Sequence, residues 1–315
     1  MSIANQARST LVIGTRGSQL ALWQAEWVQA QLKNLAPDLS VVLKRIQTSG
    51  DKIQDVPLAK VGGKGLFVKE IEEALLRKDI DLAVHSMKDL PAVLPNGLTV
   101  ICIPEREDPR DALLTRDGKN LDALPLGARV GTSSLRRQAQ LLHARTDLQI
   151  EMLRGNVDTR LRKLQENQFD AIVLAASGLK RLGWETHISE CLSLDVSLPA
   201  IGQGALGIEG REDDGFVRDL VARLEHYPTR ITVMAERALL KRLEGGCQVP
   251  IAGHAVLQGE NLTLDGLVAS LDGKRYVRCS LSGSLSEAES IGTHVAEELL
   301  GRGAQPILQE IYGAA

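Results

Sequence analysis

The sequence predicts an α/β protein in which two α/β lobes of like construction face each other across a cleft and are followed by a small α+β domain. Three observations favour this fold. Short apolar strands alternate with amphipathic helices in the N-terminal part of the chain, the same βα pattern returns in the middle part, and three alternating segments follow Pro250. With 315 residues the chain is also too long for one ordinary core, so two or three domains are expected.

Composition narrows the classes of function. The 43% hydrophobic and 24% charged residues are typical of a globular protein, and the 3% of aromatic residues leave little from which to build base-stacking platforms for nucleic acid. The net charge of −3 argues against a polyanion-binding surface over the whole protein but allows a local basic cleft. No apolar run approaches the roughly 20 residues of a membrane span, and the N-terminus is polar. We therefore expect a cytoplasmic protein that binds neither membranes nor nucleic acids.

The first strand and helix are predicted near the N-terminus. TLVIGTR predicts a strand, and the apolar stripe of residues 18–35 predicts a helix with Ser18 as its N-cap. The connecting turn, Gly14 to Ser18, places small residues and Arg16 beside free backbone N–H groups, which suits a bound carboxylate or phosphate. The turn matches neither G-x-G-x-x-G nor the P-loop, so it indicates an anion site of no particular class.

A second strand and helix follow. SVVLKRIQT predicts the strand, and residues 66–78 predict an amphipathic helix. The intervening VGGKGLF contains Lys64 but lacks the P-loop spacing and its Ser or Thr, so it predicts a flexible basic loop and not a nucleotide site.

The stretch Asp79 to Pro91 is the candidate site of the first lobe. Residues 80–84 predict a short buried strand, which is followed at once by His85, Ser86, Lys88 and Asp89. Ligands of open α/β sheets bind beyond the carboxyl ends of the strands, so these polar groups are candidates for chemistry. Taken singly, they also suit a capping aspartate, a half-buried histidine and a solvated lysine. Their clustering favours the functional interpretation, because a neighbouring cation keeps a carboxylate ionised.

The middle of the chain repeats the first pattern. A charge-dense segment, EREDPRDALLTRDG, leads into it and suits a crossing between domains. Residues 130–134 open a helix as residues 14–18 do, and the helix of residues 156–168 feeds a strand at 169–173. The repeat predicts a second lobe, although any two βα units resemble each other to some degree. LTVICIP, before the crossing, predicts a further strand of the first lobe.

Basic residues gather in this second lobe. Arg136 and Arg137 lie in the first turn of a predicted helix, where the helix dipole disfavours cations unless an anion is near. Arg154, Arg160 and Arg181 follow strands or lie one turn into a helix. Arginine suits bidentate binding of carboxylates, so the set predicts a ligand with several carboxylates, with scattered solvated charges as the alternative.

The last part of the chain predicts a return to the first lobe and then a third domain. SLPAIGQGALGIEGR, residues 197–211, is a candidate second crossing, which would create a hinge. Helices are predicted up to residue 226, over 229–243 and over 286–300, with a three-stranded meander after Pro250. The predicted domains are residues 1–104 with about 204–224, residues 105–203, and residues 225–315.

Four cysteines, Cys102, Cys191, Cys247 and Cys279, are far apart and form no C-x-x-C pair, so neither a metal site nor a disulfide framework is predicted. On residue type alone, a lone cysteine is usually an inert small hydrophobe. Cys247 stands in a glycine turn after a predicted helix, which suits an attachment point. The helix C-terminus raises a thiol pKa, so a protease-like nucleophile is not predicted.

Seven ordered motifs together closely resemble the porphobilinogen deaminase (hydroxymethylbilane synthase) family, from about Thr10 to the C-terminus. They are LAKVGGKGLFVKE, VHSMKDLP, GTSSLRRQ, LRGNVDTRL, GLKRLG, LPAIGQGALGIE and LEGGCQVPI. The resemblance implies two lobes like those of type II periplasmic binding proteins and a third domain. It implies a transferase of haem and porphyrin biosynthesis that joins four porphobilinogen molecules head to tail, releases ammonia and liberates hydroxymethylbilane.

The resemblance also implies site residues. Cys247 would carry a dipyrromethane cofactor through a thioether, and Asp89 would be the catalytic carboxylate that stabilises a cationic azafulvene. Other cofactor-binding residues would be Lys88, Ser86, Thr132, Ser134, Arg136, Arg137, Arg154 and Gly155. Residues that bind porphobilinogen and the growing oligopyrrole would be Arg16, Ser18, Lys60, Lys64, Arg160 and Arg181. The turn GTRGSQLA differs from the R-Q-S-P-L-A form of some members, but it keeps Arg16 and Ser18.

Two other functions compete with this one. A non-catalytic two-lobed binding protein for small polycarboxylates would explain the lobes, the cleft and the arginines, but neither Cys247 nor Asp89. Nucleic-acid binding by the arginines is a weaker hypothesis, and no specific binding is expected. No feature of the sequence requires more than a monomer.

Overall fold

A computed structural model describes residues 8–52, 68–244 and 249–313. Within these ranges, no helix combines the length and apolar character that crossing a membrane requires.

In chain order, the strands are β1 (Thr10–Thr15), β2 (Ser40–Arg45), β3 (Leu82–Ser86), β4 (Leu98–Cys102), β5 (Asp111–Thr115), β6 (Arg129–Gly131), β7 (Gln149–Glu151), β8 (Ala171–Ala175), β9 (Glu190–Cys191), β10 (Leu206–Arg211), β11 (Ile251–Gln258), β12 (Asn261–Ala269) and β13 (Tyr276–Ser284). The helices are α1 (Gln19–Leu35), α2 (Ser49–Lys52), α3 (Lys69–Leu76), α4 (Leu135–Ala144), α5 (Val157–Gln165), α6 (Ala176–Arg181), α7 (Gly215–Val221), α8 (Tyr227–Arg242), α9 (Ala288–Leu299) and α10 (Gln305–Gly313).

Two five-stranded sheets have the same construction. The first has the order β2-β1-β3-β10-β4 and the second the order β7-β6-β8-β5-β9. In each sheet four strands run in the same direction, and the fifth, β10 or β5, is antiparallel to both of its neighbours. Strand β5 follows the first crossing and β10 follows the second, so each lobe receives its antiparallel strand from a crossing. Together with the third domain, this arrangement confirms the predicted fold class.

The first lobe forms as its hydrophobic pattern predicts. The Ser18 hydroxyl caps α1 by accepting a hydrogen bond from the Ala21 N–H (3.3 Å). The helix buries Val28 and Leu32 in the same cluster as Leu11 of β1. Strand β3 begins two residues later than predicted: Ile80 is fully buried, but it belongs to the turn from α3, and the β1–β3 ladder starts only at Leu82.

The third domain is a meander covered by helices. Strands β11, β12 and β13 pair in antiparallel order as predicted, and α8 and α9 bury Leu239, Leu264 and Val295 in one cluster. Helix α9 starts after a short 3₁₀ turn, Leu285–Glu287, which Ser284 caps. Helix α10 was not predicted, because the glycines after residue 300 interrupt the helical pattern. In the structure, Gly303 has a φ of +103°, and the chain kinks there before α10 begins.

Candidate active site

Lys88 and Asp89 lie where the strand pattern predicts them, just beyond the carboxyl end of β3. They belong to the 3₁₀ turn Met87–Asp89. Met87 and the following Leu90 are each only 2% exposed, and they anchor the turn in the core. Lys88 and Asp89 are therefore held on a fixed backbone while their side chains stay partly accessible.

Lys88 connects the first lobe with the second. Its ammonium donates a hydrogen bond to Oε1 of Gln203, at 3.3 Å. Burial lowers the pKa of Lys88 to about 8, and the positive charges of Arg137 and Arg136 lower it further, while Asp89 and Asp111 oppose the shift. Gln203 also donates to Asp111, the partner of Arg136 and Arg137, so hydrogen bonds link the end of β3 to the start of α4.

Arg136 and Arg137 are buried and share one carboxylate, that of Asp111. Each forms an ion pair with Asp111 at 2.8 Å, and Gln203 Nε2 also donates to this carboxylate at 2.9 Å. Burial alone would raise the pKa of Asp111, but the two guanidinium groups and their hydrogen bonds hold it well below its usual range. The anion that the helix-dipole argument requires near α4 is thus partly supplied by the protein itself.

In a second arginine cluster, formed by Arg154 and Arg160, the described residues include no ion pair with a carboxylate. Burial lowers the pKa of Arg160 to about 10, and the positive charges of Arg137 and Arg154 lower it further. The Arg160 Nε–H donates only to the Gly155 carbonyl (2.7 Å), and Nε of Arg154 is buried without a hydrogen-bond partner within the described ranges. Like charges held together in this way suit a polyanionic ligand.

Gly155 makes this loop tight. Its φ is +112°, a left-handed conformation that side chains disfavour, and an added Cβ would lie 2.6 Å from Thr159 Cγ2. The loop that joins Arg154 to α5 therefore requires glycine at this position.

The remaining predicted residues are placed as follows. Arg16 pairs with Asp51 (3.1 Å from Nε), and because β1 and β3 are parallel neighbours, Arg16 lies at the same sheet edge as Lys88. Ser86 accepts a hydrogen bond from Nε2 of Gln24 on α1, at 3.0 Å.

Two predicted hydroxyl residues belong to the start of α4. Ser134 is the N-cap of this helix and accepts from the Arg137 N–H at 3.4 Å. Thr132 Oγ1 accepts from the Ser134 N–H at 3.2 Å. Both hydroxyls thus stabilise the turn that carries Arg136 and Arg137.

Arg181 contacts the second crossing. Its Nη2 donates to the Gly204 carbonyl at 2.6 Å, and burial lowers its pKa to about 10 while Glu107 opposes the shift. Arg181 therefore ties the second lobe to the segment that returns to the first. Lys60, Lys64 and Cys247 lie outside the described residues.

Sequence reasoning missed Asp111, Gln203 and Glu236. Gln203 Nε2 donates to Asp111 and to the Pro109 carbonyl while its Oε1 accepts from Lys88, so it joins both lobes. Asp111 lies 25 residues before Arg136 in sequence, and nothing local pairs them. The only sequence signal for Asp111 was the density of charged residues in the first crossing.

The arrangement fits a ligand with several carboxylates. The fit rests on the uncompensated surroundings of Arg160 and on the unpartnered Nε of Arg154. In the part of the chain that the structure describes, no group of three His, Cys, Asp or Glu residues could hold a metal ion.

Comparisons with known proteins agree with these features. Residues 11–219 match the family model described as porphobilinogen deaminase, dipyromethane cofactor binding domain, and residues 230–301 match porphobilinogen deaminase, C-terminal domain. Porphobilinogen deaminase of Syntrophotalea carbinolica is 63% identical over 300 residues, which are 95% of each chain. That of Geobacter metallireducens is 58% identical over 306 residues, 97% of this chain and 96% of the relative.

Solved structures with a similar outline have low sequence identity. The probable amino-acid ABC transporter extracellular-binding protein ytmK of Bacillus subtilis has a TM-score of 0.41 at 10% identity, covering 69% of this chain and 90% of the other. A Salmonella typhimurium periplasmic binding protein with high arginine specificity has a TM-score of 0.40 at 18% identity, covering 69% and 92%.

Proposed function

Because the chain belongs to the porphobilinogen deaminase family, we propose that it joins four porphobilinogen molecules head to tail into hydroxymethylbilane, with release of ammonia. It is an enzyme of tetrapyrrole synthesis, of the transferase type, with a dipyrromethane cofactor. The observation that carries the assignment of the site is the link from Lys88, beside Asp89, through Gln203 and Asp111 to the arginines of the second lobe. The polycarboxylate-binding alternative is not favoured.

The cleft provides charges for the substrate. Porphobilinogen carries an acetate and a propionate group, and we assign their binding to Arg16, Ser18, Lys60, Lys64, Arg160 and Arg181. Guanidinium groups bind carboxylates with two parallel hydrogen bonds, so they hold a pyrrole by its substituents and leave its reacting carbon free.

Asp89 is assigned the catalytic role. When the aminomethyl group of porphobilinogen loses ammonia, positive charge develops on the remaining carbon and spreads into the pyrrole ring. A fixed carboxylate at that place stabilises the charge, an effect worth about 3 kcal/mol for a single well-placed group. The 3₁₀ turn anchored by Met87 and Leu90 supplies this fixed position, so little reorganisation is needed during the reaction.

The cofactor is assigned to residues of both lobes and to one cysteine. When bound, dipyrromethane supplies the pyrrole carbon to which the first porphobilinogen is joined. Cys247 would hold it by a thioether. The side chains and backbone that would hold its carboxylates are those of Ser86, Lys88, Thr132, Ser134, Arg136, Arg137, Arg154 and Gly155.

Intact-mass spectrometry of the purified protein tests the attachment. We expect an added mass of two pyrrole units in the wild type and no addition in Cys247→Ala. An unmodified wild-type mass would favour the binding protein instead. For the catalytic role, Asp89→Asn should keep the fold and the adduct but lose nearly all turnover, and near-normal turnover would remove Asp89 from the mechanism.

We further propose the domain division given by the sequence: residues 1–104 with about 204–224, residues 105–203 and residues 225–315. A cytoplasmic monomer is the expected state, and size-exclusion chromatography with light scattering should give one species near 34.1 kDa. A dimer mass would contradict this expectation.

A further inference from the structure

The loop that carries Asp89 packs against the C-terminal domain. Val233 of α8 belongs to one buried cluster with Met87 and Leu90, the residues that flank Lys88 and Asp89. Helix α8 ends at Arg242, shortly before Cys247 in sequence. The helix therefore contacts the catalytic turn, and it precedes the cofactor cysteine in the sequence.

Arg237 of the same helix holds the chain just after Asp89. Its Nη2 donates hydrogen bonds to the carbonyl oxygens of Pro91 (2.7 Å) and Ala92 (3.1 Å). Proline restricts the backbone at residue 91, so fixing these two carbonyls limits the conformations of the peptide that follows Asp89.

A buried carboxylate balances the charge of Arg237. Burial lowers the pKa of Arg237, and the negative charge of Glu209 opposes that shift. Glu209 is fully buried on β10, and its Oε2 lies 2.9 Å from Nε2 of His85 on β3. Burial together with Glu209 raises the pKa of nearby Glu72 to about 7, while His85 opposes this. Charged and titratable groups of α3, the first sheet and α8 thus influence one another; they are Glu72, His85, Glu209 and Arg237.

We propose that Arg237 is a positioning residue for Asp89. It ties the peptide after the catalytic carboxylate to helix α8, so that Asp89 keeps a constant position. This role rests on the proposed function. Glu209 has no part in placing Asp89, because within the described residues it makes no hydrogen bond to that peptide.

A double-mutant cycle separates the positioning of Asp89 from the balance of buried charge. Arg237→Leu removes both the charge and the hydrogen bonds, so we expect a lower Tm and a kcat reduced by about 10–100-fold, with KM for porphobilinogen changed by less than about threefold. Adding Glu209→Gln removes a buried carboxylate that has lost the charge of Arg237 and keeps His85 as its neighbour, and Tm should recover in part while kcat stays low. A merely structural role predicts that Tm and kcat recover together, and that result would overturn the proposal.

Two further variants make the test decisive. Arg237→Lys keeps the charge, but its shorter side chain does not reach the position from which Nη2 donates to both carbonyls, so kcat should fall with Tm near that of the wild type. An unchanged kcat in this variant would also overturn the proposal, even if the double variant fails to fold. Arg242→Leu is the matched control on the same helix, because Arg242 makes an exposed pair with Glu297, and its kcat should be unchanged.

Failure of the proposed function gives a different signature. The mass adduct is expected at full occupancy in all Arg237 variants. An adduct missing from the wild type, or normal turnover in Asp89→Asn, would refute the proposed function itself, whatever the behaviour of Arg237.

Discussion

Glu236, in the middle of α8, should be one of the most important residues for stability. This carboxylate is fully buried and forms an ion pair with Arg106 of the first crossing at 2.6 Å. It also accepts hydrogen bonds from the N–H groups of Gly202 in the second crossing (2.7 Å) and Ala255 in β11 (2.9 Å). One side chain therefore joins both crossings to the C-terminal domain.

Two arguments give the size of its contribution. Burial would raise the pKa of Glu236, but Arg106 and His254 lower it from an ordinary value of 4.5 to about 2, which corresponds to about 3 kcal/mol of unfolding free energy. Glu236→Gln would leave the Arg106 side chain, 9% exposed, without its charged partner, and breaking such a pair costs about 3–5 kcal/mol. A loss of this size lowers Tm by about 6–12 °C.

Calorimetry of wild type and Glu236→Gln at several pH values tests the reasoning. Because the folded-state pKa is depressed, the contribution of the carboxylate is complete above pH 4.5 and is lost as the pH falls toward 2. The difference in Tm between the two proteins should therefore shrink on acidification. Glu297→Gln, at an exposed pair with Arg242, should change stability by less than about 1 kcal/mol. Equal effects of the two substitutions, or a pH-independent difference in Tm, would refute the argument.

Two other expectations concern pH and the crossings. Burial and the nearby arginines place the pKa of Lys88 at about 8, so its positive charge is lost as the pH rises through that value, and bound carboxylates can only move the inflection upward. We expect kcat/KM for porphobilinogen to fall at alkaline pH and Lys88→Arg to remove this fall, whereas an identical profile in both proteins would contradict the assignment. At Gly204, where φ is +91°, an added Cβ would lie 2.3 Å from the Glu107 carbonyl oxygen, so Gly204→Ala should lose about 2–4 kcal/mol in urea unfolding. Gly183→Ala has a similar φ of +70° and open space, and should lose only about 1–2 kcal/mol; equal losses would mean that the contact with Glu107 is unimportant.

Features encoded locally were predictable from the sequence. Ser18 and Ser134 were expected at helix starts and are N-caps, because a hydroxyl followed by an amphipathic segment is a signal within a few residues. The alternation after Pro250 predicted the meander for the same reason. The start of β3 was misplaced because Ile80 is as apolar as a strand residue, and apolar character does not distinguish a buried turn from a ladder.

Partners distant in sequence were not predictable. Glu236 lies 130 residues from Arg106, and Gln203 lies 115 residues from Lys88. Hydrophobic periodicity gives the face of an element that is buried, but it gives no information on which polar group of another element meets it there. The topology of the chain decides which buried polar groups meet. The sequence therefore predicted the two crossings as connections between the lobes, but it did not predict their hydrogen bonds and ion pairs.

Counting arginines along the sequence therefore overestimates the charge offered to a ligand. Asp111 neutralises half of the charge of Arg136 and Arg137, so that pair presents one net positive charge and not two. The same carboxylate fixes both guanidinium planes before any ligand arrives, which lowers the ordering needed on binding. Within the described residues, neither Arg154 nor Arg160 forms an ion pair with a carboxylate. The cleft thus combines a rigid, partly neutralised pair with a strongly positive one. Neutralising Arg160 should consequently weaken the binding of a carboxylate-rich ligand more than neutralising Arg136 does, because only the first change removes charge that the protein has not already compensated.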